Sequence, residues 1–373
     1  MEDVRMRVLI ADDDFVNRKF LEKILTEYGE VVGVDNGMSA VEEAVKALEE
    51  KNGFDLICLD IMMTRLDGYK TLEAIREAEN KLETSEKIRA KVIMISALDE
   101  VVLDSIQVCD DYDAYIVGSD QVWRPAYNNI ANTFLDFTSE WDVKRIAYAA
   151  SFGTDQWEFS NEQTEICRSL IARFQAVSVR ESSGISLCQE YLQRDALHVL
   201  DPTMLLKRTD YESLISDAYV TPIKGQIFVH ILDKDEDKTI LIGKIEKLKN
   251  WESFSVNCAV DEHEVYVPIE FRIQPPVEQW LLGFRKAEFV VTDSFHATVF
   301  SIIFNKPFIV YANEKRGLAR FVSLLEMFGL EHRIITNSNQ FTEALLAPID
   351  FNYANQRMES LRETSLNFLY NHL

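Results

Sequence analysis

The sequence predicts an α/β protein whose N-terminal half is built on a doubly wound parallel sheet. Short apolar runs alternate with segments in which apolar residues recur at helical spacing, as expected when a helix connects each strand to the next. Several of these runs end in acidic or hydroxyl residues. Because ligands bind outside the carboxyl ends of parallel strands, those residues are the first candidates for a functional site.

The first 100 residues contain alternating predicted strands and helices. In the first helix, Leu21, Ile24 and Leu25 recur at the spacing of one helix face. The predicted strands are 8–11, 31–34, 56–59 and 91–95, and the predicted helices are 15–28, 39–51 and 69–78. Helical connections of this length indicate parallel rather than antiparallel strands.

The stretch 112–123 joins the two halves of the chain. It contains an apolar run, Tyr115 to Val117, followed by a Gly-Ser-Asp turn at residues 118–120. We predict that this run is a strand of one continuous sheet that both halves share. No flexible linker is expected near residue 110.

Strands and helices continue to alternate beyond residue 120. The predicted strands are 146–150, 176–179, 197–200, 227–232, 289–292 and 307–311, and the predicted helices are 278–284, 295–304, 318–328 and 353–370. The dipeptide Asp201-Pro202 favours a turn, and we predict that the chain crosses to the next domain there. We predict three parts, residues 1–111, 112–220 and 221–373, of which the first two share a sheet.

The composition limits the kinds of partner that the chain can have. Its 373 residues carry a formal charge of −23, which argues against binding nucleic acid or anionic membranes. The five cysteines are scattered without a Cys-x-x-Cys pair, as is usual in a reducing compartment. We expect no signal peptide and no membrane span, and hence a cytoplasmic protein.

Three carboxylates are expected to converge at the ends of the first and third strands. Asp12 and Asp13 follow the first strand, and Asp60 follows the third. Clustered carboxylate oxygens suit Mg²⁺, which takes a few carboxylates and keeps some waters. A carboxylate beside such an ion can also act as a nucleophile toward a phosphoryl group.

This acid pattern has a known counterpart. The acid pair, Asp60 and the segment DIMMTRLDG (60–68) together resemble the receiver domain of bacterial response regulators over residues 5–118. The resemblance implies a receiver-like regulatory half that binds Mg²⁺. The residues that it assigns to the metal are Asp12, Asp13, Asp60 and Met62.

The receiver resemblance also implies a phosphorelay. Asp60 would receive a phosphoryl group from a histidine kinase, and Ser96 would contact that group. The sequence departs from the family at Thr64, where a proline is usual, and at Gly118, where a lysine pairs with the phosphoryl oxygens. Losing that cation removes charge stabilisation from phosphoryl transfer. Two interpretations stay open: Asp60 is a working phosphoacceptor, or the acids form a vestigial or Mg²⁺-only cluster.

Six motifs follow one another along the rest of the chain. They are VGSDQVW (117–123), RIAYAASFG (145–153), VSVRE (177–181), LDPT (200–203), VTDSFHA (291–297) and NKPF (305–308). In content and order they resemble the polysaccharide pyruvyl transferase family, over about two thirds of the chain. The resemblance implies two Rossmann-like domains facing a cleft, as in GT-B glycosyltransferases. It also implies transfer of a pyruvyl group from phosphoenolpyruvate to a sugar or glycan acceptor as a ketal.

The implied reaction needs a proton donor for the enol carbon, cations for the donor's acidic groups and a base for the attacking hydroxyl. His296 is the candidate acid, because the segment 293–296 lies between a strand and a helix. Ser294 lies at the N-terminus of that helix, where phosphate binds readily. A packed or capping histidine is the alternative for His296.

Further candidates follow other predicted strands. Arg180 is the candidate anion anchor, with a surface ion pair to Glu181 as the alternative. Asp120 could serve as the base or orient the acceptor, although an aspartate after Gly-Ser is also a common turn or helix-capping residue. Lys315 and Arg316 could clamp phosphate, or they could be two solvated cations.

Four functions remain open at this stage. The first is a pyruvyl transferase of exopolysaccharide biosynthesis that carries a receiver-like regulatory half. The family's own N-terminal strand, loop and helix are missing, and the receiver-like half occupies their place. The others are a two-component signalling module, a catalytically inactive fusion and a sugar-nucleotide glycosyltransferase of the same fold, which fold alone does not exclude.

Overall fold

The protein folds into two parallel β-sheets with helices packed against them. The computed structural model describes residues 6–26, 28–60, 63, 65–82, 89–95, 114–217, 220–256, 275–312 and 317–373. The first sheet contains β1 (Met6–Ala11), β2 (Gly29–Val34), β3 (Leu56–Asp60), β4 (Lys91–Ile95), β5 (Ala114–Val117), β6 (Lys144–Ala150), β7 (Ala176–Val179) and β8 (Leu197–His198). The second contains β9 (Ile227–His230), β10 (Ser253–Phe254), β11 (Phe289–Thr292), β12 (Phe308–Tyr311) and β13 (Ile334–Ile335).

Within the described residues the first sheet has eight strands in the order β2-β1-β3-β4-β5-β6-β7-β8, and the second has five in the order β10-β9-β11-β12-β13. Neighbouring strands are parallel throughout both sheets. The fold is therefore mixed α/β, as predicted. All strand carboxyl ends of one sheet consequently lie on one edge.

The helices connect these strands. They are α1 (Phe15–Leu25), α2 (Gly37–Glu49), α3 (Gly68–Lys81), α4 (Ile130–Thr133), α5 (Asn161–Ile171), α6 (Ser182–Leu192), α7 (Arg208–Asp217), α8 (Glu236–Lys249), α9 (Val277–Lys286), α10 (Phe295–Ile303), α11 (Leu318–Phe328) and α12 (Asn352–His372). Polar capping residues define where several helices begin. The side chains of Asp14, Asn36 and Asp67 accept hydrogen bonds from backbone N–H groups in the first turns of α1, α2 and α3.

Helices pack on both faces of the N-terminal part of the first sheet. Leu9 of β1 packs in one cluster with Ala44 of α2 and Leu72 of α3. Val8, its neighbour in the strand, packs in a different cluster with Leu21 of α1. Successive side chains of a strand point to opposite faces, so both faces of this sheet are buried. This explains why its strands are continuous apolar runs.

β5 joins the two halves of the chain into one sheet. It pairs with β4 through Ala114 and Ile93, and all four of its residues pair with β6. The prediction of one continuous sheet is confirmed. Residues 96–113, which contain the predicted boundary at 111, lie outside the described residues.

The two sheets share a hydrophobic core. Ile146 and Tyr148 of β6 belong to the same buried cluster as Phe228 of β9, Phe284 of α9 and Phe295 of α10. Aromatic side chains supply much of the buried area in such a core. This packing places the carboxyl ends of β7 and β8 near the N-terminus of α10, where polar side chains from both sheets meet.

The C-terminal helix α12 returns to the first sheet. Its Ser365 Oγ accepts a hydrogen bond from the backbone N–H of Leu200 at 3.0 Å. Its Tyr370 ring makes an edge contact with Tyr28, between α1 and β2, at 5.3 Å between ring centroids. Helix α1 also contacts a later part of the chain through a salt bridge of 3.6 Å between Lys23 and Asp210 of α7. The receiver-like part is therefore contacted from the far end of the chain.

The predicted elements differ from the observed ones mainly at their ends. The predicted strand 227–232 ends at His230, because the following loop turns toward Asp293, whose Oδ1 accepts the Leu232 N–H at 2.6 Å. Helices α4 to α8 and strands β10 and β13 had no predicted counterpart. The start of α5 is marked by a capping box between Ser160 and Gln163, a signal that the sequence does contain.

None of the helices within the described residues is long and apolar enough to cross a membrane. Three cysteines among these residues, Cys58, Cys167 and Cys188, are buried and unpaired. Burial raises the pKa of each of these thiols to about 12, so they are unreactive near neutral pH.

Candidate functional site

The predicted acids converge at the carboxyl edge of the first sheet. β1 and β3 are neighbouring strands, and one ligand oxygen each from Asp12, Asp13 and Asp60 lies within 4.8 Å of the others. We refer to these three residues as the acidic cluster. Asp12 is buried, Asp60 is half-buried and Asp13 is exposed, so the cluster is open to solvent on one side.

Asp12 has an oxygen that needs a partner. Its Oδ1 accepts the backbone N–H of Asp14 at 2.8 Å, whereas its Oδ2 is buried without a hydrogen bond. Burial and the nearby charge of Asp60 raise the pKa of Asp12 to about 7. Buried polar atoms are nearly always paired, and a divalent cation among three carboxylates would supply the missing partner. The residues present therefore fit Mg²⁺.

The structure gives a physical reason for the missing receiver lysine. Gly118 has a φ of 149°, and a Cβ built on it would lie 1.8 Å from the carbonyl oxygen of Tyr148 in β6. Beside this contact β6 is irregular: Ala149 has a φ of 51°, and the pairing with β7 shifts between Ala147 and Ala150. Such bulges redirect strand ends near functional sites. Only glycine fits at residue 118.

A second group of polar residues lies where the two sheets meet. Asp120 follows β5, Arg180 follows β7 and Asp201 follows β8, while Phe295 and His296 begin α10. We refer to these five residues as the inter-sheet cluster. Its members come from three strand ends of the first sheet and from the start of a helix that follows a strand of the second sheet, so it exists only in the folded chain.

Arg180 is the centre of the inter-sheet cluster. Its side chain is only 1% exposed, and its Nη1 and Nη2 donate to Asp201 Oδ2 at 2.9 Å and to Asp120 Oδ1 at 3.0 Å. Its guanidinium carbon lies 4.3 Å from the centroid of the Phe295 ring, a cation–π contact. The guanidinium is thus held rigidly between two carboxylates and an aromatic face.

Both carboxylates are held in their charged form. Asp201 is fully buried, which opposes its ionisation, but the charges of His296 and Arg180 hold its pKa below the usual range. Partial burial likewise opposes ionisation of Asp120, and the charge of Arg180 again holds the pKa below its usual range. The two differ in access, because the Asp120 side chain is 67% exposed. Asp120 can therefore reach a ligand.

His296 faces the same carboxylates from the second sheet. Its Nε2 lies 3.8 Å from Asp201 Oδ2, and its side chain is 40% exposed. Ser294 is buried, and its Oγ accepts the backbone N–H of Ala297 at 3.4 Å, so it caps α10. The neighbouring Asp293 is also buried and pairs with Lys238 Nζ at 3.0 Å. Among these residues, His296 is the one open to a ligand.

Sequence reasoning assigned no role to Asp201 and treated Glu181 only as an alternative ion-pair partner. Glu181 is buried, and its Oε1 accepts the N–H groups of Phe152 and Gly153 at 2.6 and 3.0 Å. Burial raises the pKa of Glu181, against the opposing charge of Arg180. The interpretation as a surface ion pair is wrong, because both side chains are buried. Glu181 instead fixes the loop after β6.

Arg320, at the start of α11, is a further cation that sequence reasoning did not single out. Its guanidinium carbon lies 5.7 Å from the Phe295 ring centroid. Burial and the charge of Arg180 lower the pKa of Arg320 to about 10. Two buried arginines therefore lie close to the same aromatic ring. No local motif marks Arg320 in the sequence, because its neighbours in α11 are mostly apolar.

The structure brings together four of the predicted residues of the second half: Asp120, Arg180, Ser294 and His296 lie along the junction of the sheets. It separately brings together Asp12, Asp13 and Asp60. The remaining predicted site residues lie outside the described residues. They are Met62, Ser96, Lys315 and Arg316.

Curated relatives match the N-terminal part. The chain is 36% identical over 92 residues to chemotaxis protein CheY of Treponema pallidum, covering 25% of this chain and 58% of that protein. It is 37% identical over 95 residues to hybrid signal transduction histidine kinase B of Dictyostelium discoideum, covering 25% of this chain and 5% of that one. The chain thus spans less than two thirds of the length of these relatives.

Solved structures match the same part. The receiver domain of the histidine kinase CKI1 from Arabidopsis thaliana, complexed with Mg²⁺ and BeF₃⁻, is 30% identical, and the match covers 26% of this chain and 70% of that one. Its TM-score of 0.23 carries no argument about the fold. The sequence identities support a receiver-like N-terminal part.

A family model covers the larger part of the chain. Residues 39–315 match the model described as polysaccharide pyruvyl transferase. The match begins in α2, inside the receiver-like part, and includes every member of the inter-sheet cluster. The chain therefore belongs to the polysaccharide pyruvyl transferase family and combines it with a receiver-like N-terminal part.

Proposed function

We propose that the protein transfers the pyruvyl group of phosphoenolpyruvate to two hydroxyls of a sugar or glycan, forming a ketal and releasing inorganic phosphate. The observation that carries this proposal is the inter-sheet cluster. It brings a buried arginine, an exposed carboxylate and a half-exposed histidine together where the two sheets meet, and we infer that the two units facing this site are Rossmann-like and of GT-B type. Family membership supplies the reaction class, and the cluster supplies groups with the required chemistry.

The donor is an anion with a carboxylate and a phosphate, so it needs cations. Arg180 and Arg320 supply two guanidinium groups near the ring of Phe295, and guanidinium suits both acidic groups. Since Asp120 is the exposed partner of Arg180, we propose that the donor takes over part of this bond. Lys315 and Arg316 remain proposed phosphate ligands.

Proton transfer is assigned to His296 and Asp120. In the proposed reaction His296 gives a proton to the methylene carbon of the donor, which makes the adjacent carbon electrophilic. An acceptor hydroxyl, losing its proton to Asp120, bonds to that carbon. The bond to the phosphate oxygen then breaks, and the second hydroxyl closes the ketal and releases its proton. We propose that Ser294 acts by holding the N-terminus of α10 in place.

The test is phosphate release from phosphoenolpyruvate in the presence of candidate glycans. We expect release by the parent, a loss of at least about 100-fold in His296→Gln, and a comparable loss in Asp120→Asn. His332→Gln is the matched control, because His332 is exposed and lies outside the inter-sheet cluster. No release with any acceptor would contradict the transferase proposal, and no thermal shift on adding phosphoenolpyruvate would also contradict binding of this donor.

A second proposed function is regulation by the acidic cluster. Mg²⁺ there would neutralise charge that develops on a phosphoryl group, and Asp60 would accept that group from a histidine kinase or from acetyl phosphate. The supporting observation is that the acidic cluster and Asp120 lie at the carboxyl edge of one sheet. Only β4 separates β3, which carries Asp60, from β5, which leads into Asp120.

Labelling with acetyl phosphate tests the regulatory proposal. We expect labelling of the parent that disappears in Asp60→Ala and persists in Asp195→Ala, a control at an exposed position. Phosphate release from phosphoenolpyruvate should then differ between labelled and unlabelled parent. Absence of labelling in the parent would remove the phosphorelay while leaving the transferase proposal intact. Absence of both activities would favour a catalytically inactive fusion.

A further inference from the structure

A second histidine lies beside the inter-sheet cluster. His230 is the last residue of β9, and its register partner in β11 is Thr292, which lies four residues before His296. The Thr292 hydroxyl donates to the His230 carbonyl oxygen at 2.7 Å. His230 is half-buried. His230 therefore lies at the carboxyl end of a strand, which is where ligands bind in parallel sheets.

One hydrogen bond fixes the protonation of this ring. The Trp280 Nε1–H lies 3.2 Å from His230 Nδ1. The indole N–H can only donate, so Nδ1 must accept and carries no proton. The proton of the neutral imidazole is then on Nε2. His230 is therefore a hydrogen-bond donor at Nε2.

The donor that fixes the ring is itself rigid. Trp280 packs edge-on against Phe284 and Phe300, with ring centroids 4.6 and 4.9 Å away. Its ring also meets the His230 ring edge-on at 5.5 Å. Aromatic packing of this kind restricts the indole to one orientation. The tautomer is consequently set by the core and does not depend on solvent.

The surroundings favour the neutral ring. Burial lowers the pKa of His230, and a positive charge on His296 acts in the same direction against the opposing charge of Asp293. Asp293 itself is paired with Lys238, which weakens its influence. Among the described residues, no hydrogen bond to His230 Nε2 is formed.

We propose that His230 is a ligand-binding residue of the inter-sheet site, whose neutral Nε2–H donates a hydrogen bond to an oxyanion of the donor substrate, either its carboxylate or its phosphate. This inference rests on the proposed transferase function. It assigns the two histidines different tasks: His296 exchanges a proton, and His230 keeps its own. A neutral imidazole held in one tautomer is suited to stabilising negative charge without losing its proton.

The tautomer is tested by ¹⁵N NMR of the full chain labelled at histidine, with His230→Gln identifying the signal. At pH 7 we expect a neutral ring protonated at Nε2. Trp280→Phe should produce a mixture of tautomers, whereas Trp251→Phe, a tryptophan outside the inter-sheet cluster, should leave the signal unchanged. A parent ring that is protonated at Nδ1, or doubly protonated, would overturn the proposal.

The ligand contact is tested by titration with inorganic phosphate, pyruvate and phosphoenolpyruvate. We expect the Nε2 signal to move with phosphoenolpyruvate and with one of the two fragments, which identifies the acidic group that it binds. His230→Ala should bind phosphoenolpyruvate roughly 10- to 100-fold more weakly, as for loss of a charge-assisted hydrogen bond. His230→Gln, which retains an N–H donor, should recover part of this loss.

These outcomes separate the two proposals. If the parent releases phosphate but the His230 signal does not move with any of the three ligands, the assignment of His230 is overturned and the transferase proposal stands. If no acceptor supports phosphate release but the signal moves with phosphoenolpyruvate, the His230 contact stands and the transferase proposal fails. Unchanged binding in a folded His230→Ala variant would also overturn the assignment.

Discussion

The acidic cluster and three members of the inter-sheet cluster, Asp120, Arg180 and Asp201, lie along one edge of the same sheet, yet the charges of the two clusters are arranged in opposite ways. The acidic cluster gathers three carboxylates, and the buried Asp12 Oδ2 has no hydrogen-bond partner among the described residues. The inter-sheet cluster sets Arg180 between Asp120 and Asp201, so its charges already compensate one another.

Because of this difference, the acidic cluster and the inter-sheet cluster are prepared for a ligand in different ways. A site of like charges raises the pKa of its buried acid and is completed only by a cation from outside. A site of paired charges keeps its acids ionised and its side chains in position before any ligand arrives. We therefore expect the acidic cluster to be stabilised by a metal ion, and the inter-sheet cluster to be destabilised when one of its own side chains is removed.

The largest expected effect follows from removing Arg180. In Arg180→Ala the buried Asp201 loses its main partner, so we expect a loss of about 3–5 kcal/mol in the free energy of unfolding, measured by urea denaturation. Arg208→Ala is the matched control, since it breaks the exposed pair with Glu212 at 2.8 Å and should cost less than about 1 kcal/mol. Equal losses in the two variants would show that Arg180 does not hold a buried network of paired charges.

The next largest effect is expected at Gly118, which directly follows β5 and lies two residues before Asp120. Gly118→Lys restores the residue type found in receiver domains, but the side chain would collide with the Tyr148 carbonyl. We expect a cost of about 1–3 kcal/mol or more, and no gain in acetyl phosphate labelling. Gly243→Ala is the control, because nothing lies within 4 Å of its Cβ position and helix propensity predicts a gain of up to about 1 kcal/mol. A stable Gly118→Lys protein with stronger labelling would contradict this account.

A smaller effect is expected from Mg²⁺. Millimolar Mg²⁺ should raise the melting temperature of the parent by a few degrees, because the ion binds only the folded acidic cluster. Asp12→Asn should lose most of this increase, and Asp195→Asn should keep it. In the absence of Mg²⁺, Asp12→Asn should be at least as stable as the parent at pH 8, because it removes one like charge. A parent insensitive to Mg²⁺ would show that the acids do not form a metal site.

The smallest effect is a pH dependence of the inter-sheet cluster. The pKa of Asp201 is lowered in the folded protein, so its contribution to stability is present above its ordinary pKa and is lost as the pH falls below about 4. The free energy of unfolding should therefore fall more steeply with acid in the parent than in Asp201→Asn. Identical slopes would mean that Asp201 is not held ionised by Arg180 and His296.

The sequence was sufficient for features that depend on local order. Strand ends and helix caps are local, so Asp12, Asp13 and Asp60 could be placed at neighbouring strand ends from the alternation of elements alone. The shared strand β5 was also predictable, because one apolar run had to serve both halves. The positions of Asp120, Arg180 and His296 at strand ends followed from the same reasoning.

Features that depend on how the sheets pack could not be predicted. The pairing of Arg180 with Asp201, the position of Arg320 beside Phe295 and the bond from Trp280 to His230 join residues that are far apart in the sequence. The burial of Ser294 also follows from the packing of α10 in the core. The irregularity at Ala149 has no signal in the sequence, since alanine rarely adopts a positive φ.

The shared sheet limits how this protein can be divided or recombined. Separating β4 from β5 would expose the strand edges that now face each other, and exposed strand edges promote aggregation. The receiver-like part would also lose its contact with the C-terminal helix. Because the receiver-like and transferase parts share one sheet, we expect that neither can be exchanged as a self-contained module.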